Sequence, residues 1–147
     1  MKKLLSIFLT LVVVAFAACN DDDDNKTTVP NDVVKSFIET NYPGATILEI
    51  EKVNGGLTEV DVMHDSKKKD IYFNNDNVWV YTEWDVLTAD VPQVVLDKVA
   101  EMYPEYSVDN VDYIQSPDGD FYEVEIEKGN FEKHLKVSLD ASTVTEM

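Results

Sequence analysis

Two histidines, His64 and His134, are the only side chains in this sequence whose ordinary pKa lies near neutrality, apart from the single cysteine, Cys19. Either would have to meet a nucleophile and an orienting carboxylate to support acyl transfer. His64 falls in His64-Asp65-Ser66-Lys67, which reads as an exposed hairpin, and His134 lies in an alternating segment that turns it to an open sheet face. Neither stands beside a glycine-rich elbow, so the expectation is a protein without catalytic residues. One cysteine and no His-x-x-x-His pair leave no thiolate zinc site. Hard oxygen ligands for calcium are available at Asp76, Asp118 and Asp120. None of them has the spacing of a twelve-residue calcium loop, and Asn, Asp and Gly at those places equally suit tight turns.

The more suggestive chemistry is aromatic. If Val60, Val62, Ile71, Phe73, Val78 and Val80 face a core, a period of two sends Met63, Tyr72, Trp79 and Tyr81 to the other side. The same rule exposes Phe121 and His134 among Glu123, Glu125 and Lys136. Tyr72, Trp79, Tyr81 and Phe121 are therefore the candidate anchors for a protein partner, because aromatic rings bury much area at low entropic cost. Cross-strand pairing that only stabilises the sheet is the competing explanation.

The elements that position these residues come in two similar runs. Val29-Pro30 recurs as Val91-Pro92, Tyr42-Pro43 as Tyr103-Pro104, and Glu59-Val60-Asp61-Val62 as Glu123-Val124-Glu125-Ile126. Val33, Val34, Phe37 and Ile38 recur at helical spacing, with Pro30 in the opening turn and Tyr42-Pro43-Gly44 as the stop. The second helix reads from an Asp90 cap with Gln93 three residues on, and ends before Pro104. Strands follow over 46–53, 57–63, 70–74 and 78–84, then over 107–115, 121–127, 133–139 and a short end at Thr143-Val144. Asn54-Gly55-Gly56 and Pro117-Asp118-Gly119-Asp120 supply turns. Short connections between consecutive strands make the sheet antiparallel and leave the helices one face to cover. The expected fold is α+β, built of tandem α-β-β-β(-β) repeats over 29–86 and 87–147.

Residues 1–18 open with two lysines, continue through about 15 apolar positions and end on small residues before Cys19, the pattern of an export signal. The run is short of the ~20 residues a membrane-spanning helix needs. Phe16-Ala17-Ala18-Cys19 resembles the lipobox of bacterial lipoproteins, which implies acylation of Cys19, and stable anchoring takes more than one acyl chain. Residues 19–28 then form an acidic tether, Asp21 to Asp24 being four adjacent carboxylates. That cluster is similar to the surface-export signal of Bacteroidetes lipoproteins and implies the outer membrane, at the cell surface in preference to a periplasm-facing anchor. After cleavage the chain holds ten lysines against 29 acids, a formal charge of −19, and there is no arginine. Nucleic acid requires the opposite charge, and anionic headgroups are repelled, so membrane attachment rests on the lipid alone.

The Pro-opened helix, the Tyr-Pro stop and the strand Phe121-Tyr122-Glu123-Val124-Glu125-Ile126 resemble the PepSY-like domains, which are also likened to β-lactamase inhibitor protein. The resemblance covers about residues 29–147. It implies a binding or inhibitor-like module with a protein partner such as an extracellular or periplasmic hydrolase. The residues themselves call for no cofactor other than, at most, calcium. The disulfides of that inhibitor have no counterpart here, since Cys19 stands alone. The alternative expectation is a calcium-responsive or structural envelope protein.

Overall fold

A computed structural model describes residues 30–147; the expected signal segment, Cys19 and the expected acidic tether lie outside the described residues. The chain runs α1 (Asp32–Asn41), β1 (Thr46–Val53), β2 (Leu57–His64), β3 (Lys67–Phe73), β4 (Trp79–Asp85), α2 (Gln93–Met102), β5 (Ser107–Gln115), β6 (Phe121–Lys128), β7 (Phe131–Ser138) and β8 (Val144–Glu146). All eight strands form one antiparallel sheet in chain order. It is an α+β fold of tandem helix-then-strand repeats, with both helices on one face.

The two halves share detail beyond element order. Each helix has ten residues and ends on a tyrosine, Tyr42 (φ −130°, ψ 63°) or Tyr103 (φ −127°, ψ 61°), whose N–H bonds back to Ile38 or Val99. The first strand of each half carries a bulge at the same place, between Ile47 and Glu49 and between Val108 and Asn110. A bulge shifts one residue out of phase, so both strands turn their later residues alike.

Helix starts differ from the sequence expectation. Asn31, not Pro30, begins α1: its side chain accepts from the Val34 N–H at 2.9 Å and satisfies one of the free donors of the first turn. Asp90 does not cap α2; it closes a short 3₁₀ turn (Thr88–Asp90), and Pro92 occupies the cap position. Asn54–Gly56 forms a turn in which Gly55 and Gly56 have φ of 84° and 78°, a conformation glycine adopts without strain.

Each half buries its own apolar cluster between helix and sheet. Val34 and Ile38 of α1 meet Ile50, Val60, Val62, Ile71 and Phe73. Val95 and Val99 of α2 meet Val111, Val124, Ile126, Leu135 and Val137. A polar seam joins the halves on the helix side. The Trp79 Nε1–H donates to Thr82 Oγ1 at 3.0 Å, and Tyr42 Oη lies 2.9 Å from both Thr82 Oγ1 and Gln115 Oε1. The amide oxygen of Gln115 cannot donate, so the single Tyr42 proton goes to it and the Thr82 hydroxyl donates to Tyr42. The chain of bonds thus runs from the first repeat to the second with every buried group paired. Beside it lies Lys69, whose ammonium sits 3.2 Å from the centroid of the Trp84 ring and whose pKa is lowered by burial and then by Lys67.

Candidate functional site

The face away from the helices is uncovered by any element among the described residues, and cross-strand register sorts its side chains into rows. One row reads Glu49, Asp61, Asp70, Glu83, Ile114 and Phe121, each directly opposite the next from β1 to β6. A second reads Asp85, Asp112, Glu123 and Lys136. Glu59, Tyr72 and Tyr81 lie side by side in a third. The result is a strongly acidic surface with a small aromatic island.

Tyr72 and Tyr81 stack with centroids 4.3 Å apart and planes inclined by 21°. Tyr81 remains half-exposed while Tyr72 is buried, so Tyr81 presents the ring and Tyr72 backs it. The Tyr72 hydroxyl donates to Glu83 Oε1 at 2.8 Å. Phe121 lies on the open face as expected, with the Lys136 ammonium 4.1 Å from its ring centroid. Ile114, between Glu83 and Phe121 in the same row, is buried.

Trp79 departs from the expectation. The register slips between Tyr72 and Phe73, so that Tyr72 faces Tyr81 while Phe73 faces Trp79, with Val80 as the extra residue. Trp79 therefore points to the helix side and stacks on Phe37 of α1 at 5.4 Å. Val78 also differs: it is exposed just outside β4 and does not face the core. The slip follows the turn before it, where Asn74 Oδ1 accepts from the N–H groups of Asp76 and Val78 and Asn77 takes a φ of 60°. Asp76 is a residue of this turn. Asp118 lies in the β5–β6 connection, and the Asp120 oxygens accept from the Tyr113 hydroxyl (2.8 Å) and the Ser116 N–H (3.3 Å). The three calcium candidates thus occupy turns and do not converge.

The histidines also separate. His64 is the last residue of β2 and is not exposed: its ring meets Tyr42 edge-on at 5.6 Å, and its side chain is 16% accessible. The turn itself is Asp65-Ser66, both with positive φ. His134 is on the open face, its Nδ1 2.9 Å from Glu123 and its Nε2 3.0 Å from Glu132. Those glutamates, Glu132 foremost, raise its pKa.

Sequence reasoning missed the convergence of carboxylates. Asp70, Glu83, Asp85, Asp112 and Glu123, with Lys68, line a depression of ≈ 280 Å³ on the open face. Lys68 Nζ reaches Asp61 at 2.7 Å and Asp70 at 3.0 Å. Burial works against that ammonium, but the bonds to Asp61 and Asp70 outweigh it and raise its pKa. Desolvation, helped by the neighbouring acids, pushes Glu59 and Asp112 up to about 7. Burial likewise raises Asp70 and Glu83. The period-two acids Glu59-Val60-Asp61 and Glu83-Trp84-Asp85 were the available signal, but only register shows that they line up.

A stability consequence follows. A carboxyl whose folded pKa lies above its unfolded value binds its proton more tightly when folded, so stability is gained as pH falls through the folded value toward the unfolded one. For Glu59 and Asp112 that window runs from about 7 down to the ordinary range near 4, and raised His134 acts in the same direction. Asp140, lowered to about 2 by bonds from Ser142 and Ser138, opposes this only below that window. Calorimetry at matched ionic strength is expected to give a Tm higher at pH 5.5 than at pH 8 by on the order of 5 °C. A flat or falling Tm over that interval contradicts the charge arrangement described.

Comparison with known proteins agrees with this architecture. The family model described as "Putative beta-lactamase-inhibitor-like, PepSY-like" matches residues 18–67 and 57–143. The chain belongs to this family. Among solved structures, a BLIP-like protein from Bacteroides fragilis superposes with a TM-score of 0.72 at 24% identity, covering 86% of this chain and 91% of that one. A DUF2874 family protein from Bacteroides uniformis gives 0.66 at 17% identity, with 80% and 90% covered. A third, from Bacteroides eggerthii and described among "putative periplasmic proteins", gives 0.65 at 18% identity, with 81% and 90% covered. At these identities the likeness is one of fold. No curated protein matches the chain.

Proposed function

We propose that this PepSY-like chain is a non-enzymatic cell-envelope binding module that docks a protein partner on its open sheet face. One observation carries the reading: a face left bare by both helices holds the half-exposed rings of Tyr81 and Phe121 amid carboxylates. A solvated sheet face does not require such rings, whereas docking surfaces are rich in them. The family description supports an inhibitor-like role, and an extracellular or periplasmic hydrolase is the partner class we favour. Cys19 is the proposed lipid anchor, at the outer membrane and preferably on the cell surface. The non-catalytic reading is supported by the histidines, which lie on opposite faces and have no Ser, Thr or Cys among their hydrogen-bond partners within the described residues.

The test is to crosslink and identify the envelope protein that co-purifies with the full-length chain, then to measure its affinity for the Tyr81→Ala/Phe121→Ala variant. Loss of two aromatic anchors is expected to weaken it at least 100-fold, with the melting temperature close to that of the wild type. Unchanged affinity sinks the reading.

A calcium-responsive role is the second reading. It draws on Glu59, Asp61 and Asp70, which offer oxygens within 4.8 Å of one another. The Lys68 ammonium bridging Asp61 and Asp70 already supplies positive charge there, and for that reason the docking reading is preferred.

A further inference from the structure

We infer that the open sheet face is built for a cationic occupant: an extended, arginine- or lysine-rich segment of the partner, whose side chains enter the depression between β3 and β6. The inference rests on the docking reading and assigns its chemistry.

The argument begins with the register. Like charges directly opposite each other on neighbouring strands destabilise a sheet. Here Glu49, Asp61, Asp70 and Glu83 stand in one unbroken row across four strands. Asp85, Asp112 and Glu123 repeat the arrangement across three, and Glu51 faces Glu59 beside them. Where a local rule is broken repeatedly in one place, function is the usual beneficiary. Turning the same acids to a helix surface would have left solubility unchanged and removed the repulsion.

The neutralisation within the face is uneven. Asp61 and Asp70 share Lys68, and Glu123 has His134. Among the described residues Glu83 accepts from the Tyr72 hydroxyl and Asp112 from the Asn110 amide at 2.9 Å, and the carboxyl beside Asp112 is that of Asp85. No ion pair within the described residues reaches Glu83, Asp85 or Asp112, three acids at the centre of the sheet beside the ≈ 280 Å³ depression. A cation from outside would complete in this half what Lys68 does in the other. The spacing suits a polypeptide in extended form: outward residues along β4, such as Glu83 and Asp85, are about 6.8 Å apart, the same repeat as alternate side chains of an incoming strand. Tyr81 and Phe121 flank the acids, and aromatic rings also attract guanidinium groups.

The probe is a capped octapeptide of alternating arginine and serine, compared with its citrulline analogue, which keeps the shape and loses the charge. Amide shifts of the full-length protein in detergent micelles are followed during titration at low and at 0.3 M salt. The arginine peptide is expected to bind at least ten-fold tighter than the citrulline peptide, to weaken with salt, and to perturb β3 to β6. Asp85→Asn/Asp112→Asn is expected to lose at least ten-fold and, with repulsion relieved, to melt no lower than the wild type. Asp97→Asn/Glu101→Gln, which removes the same charge from exposed positions on α2, is expected to lose less than two-fold. Equal losses in the two variants would reduce the effect to net charge and overturn the inference, as would equal binding of the two peptides. If the arginine peptide fails while Tyr81→Ala/Phe121→Ala still releases the partner, the face docks a protein but not through cations. If the peptide binds as described while that variant keeps its partner, the aromatic docking falls and the cation-accepting site stands.

Discussion

Phe73→Ala lowers the unfolding free energy by about 3–5 kcal/mol, as expected for removing a large, fully buried aromatic side chain. Phe73 is fully buried, and the Phe37 ring meets it edge-on with centroids 5.4 Å apart. It is also the residue opposite Trp79, so its loss removes support from the Phe37–Trp79 stack that closes the first cluster. Against a usual total of about 5–15 kcal/mol, the change brings the variant near the limit of folding at physiological temperature. Urea titration followed by tryptophan fluorescence checks it: the midpoint falls while the slope is retained. A loss under about 1 kcal/mol would mean that the first cluster is not packed as described.

The second large effect concerns the other half and asks whether the halves stand or fall together. Val95 of α2 is fully buried among Val91, Val99, Val111 and Val124. Val95→Asp puts a carboxylate where no donor waits for it; it either ionises at great cost or takes up a proton and remains unpaired. A loss of more than about 4 kcal/mol is expected, enough to release α2 from the sheet. β4 and β5 pair through Thr82–Asp85 and Asp112–Gln115, and the Tyr42–Gln115 bond crosses the same joint. Both tryptophans report on the first repeat or the joint, Trp79 against Phe37 and Trp84 stacked on Tyr113 at 4.6 Å. Their emission is therefore expected to become that of the unfolded chain although the substitution is in α2. Native emission in a variant whose second half is shown by amide exchange to be open would establish two independent units.

How the face is read depends on which side of the sheet each residue takes. Tyr72, Tyr81 and Phe121 were legible because each keeps the alternation of the strand residues on at least one side of it, Tyr81 with Glu83 and Asp85 beyond the slip. Trp79 was not, although it lies two residues from Tyr81, because one extra residue in β4 reverses every side chain before it. Such a slip leaves no mark in composition; it arises from the Asn74 turn and from the fit of Trp79 against Phe37. His64 was misread for a related reason. A two-residue turn at Asp65-Ser66 extends β2 by one position and places the imidazole against Tyr42.

Amino-acid order alone determined the helix-then-strand succession, its recurrence, the side that each long alternating strand presents, and the excess of negative charge. These are local properties, encoded within a turn or a few residues of each position. Tertiary structure decided which acids would stand opposite one another, because register between strands is set by bulges and turns summed over the whole sheet. It also decided that a lysine and a histidine would relieve only part of that crowd, leaving Glu83, Asp85 and Asp112 at the centre. Charge counts are additive along a chain, but repulsion depends on distance, and distance exists only after folding.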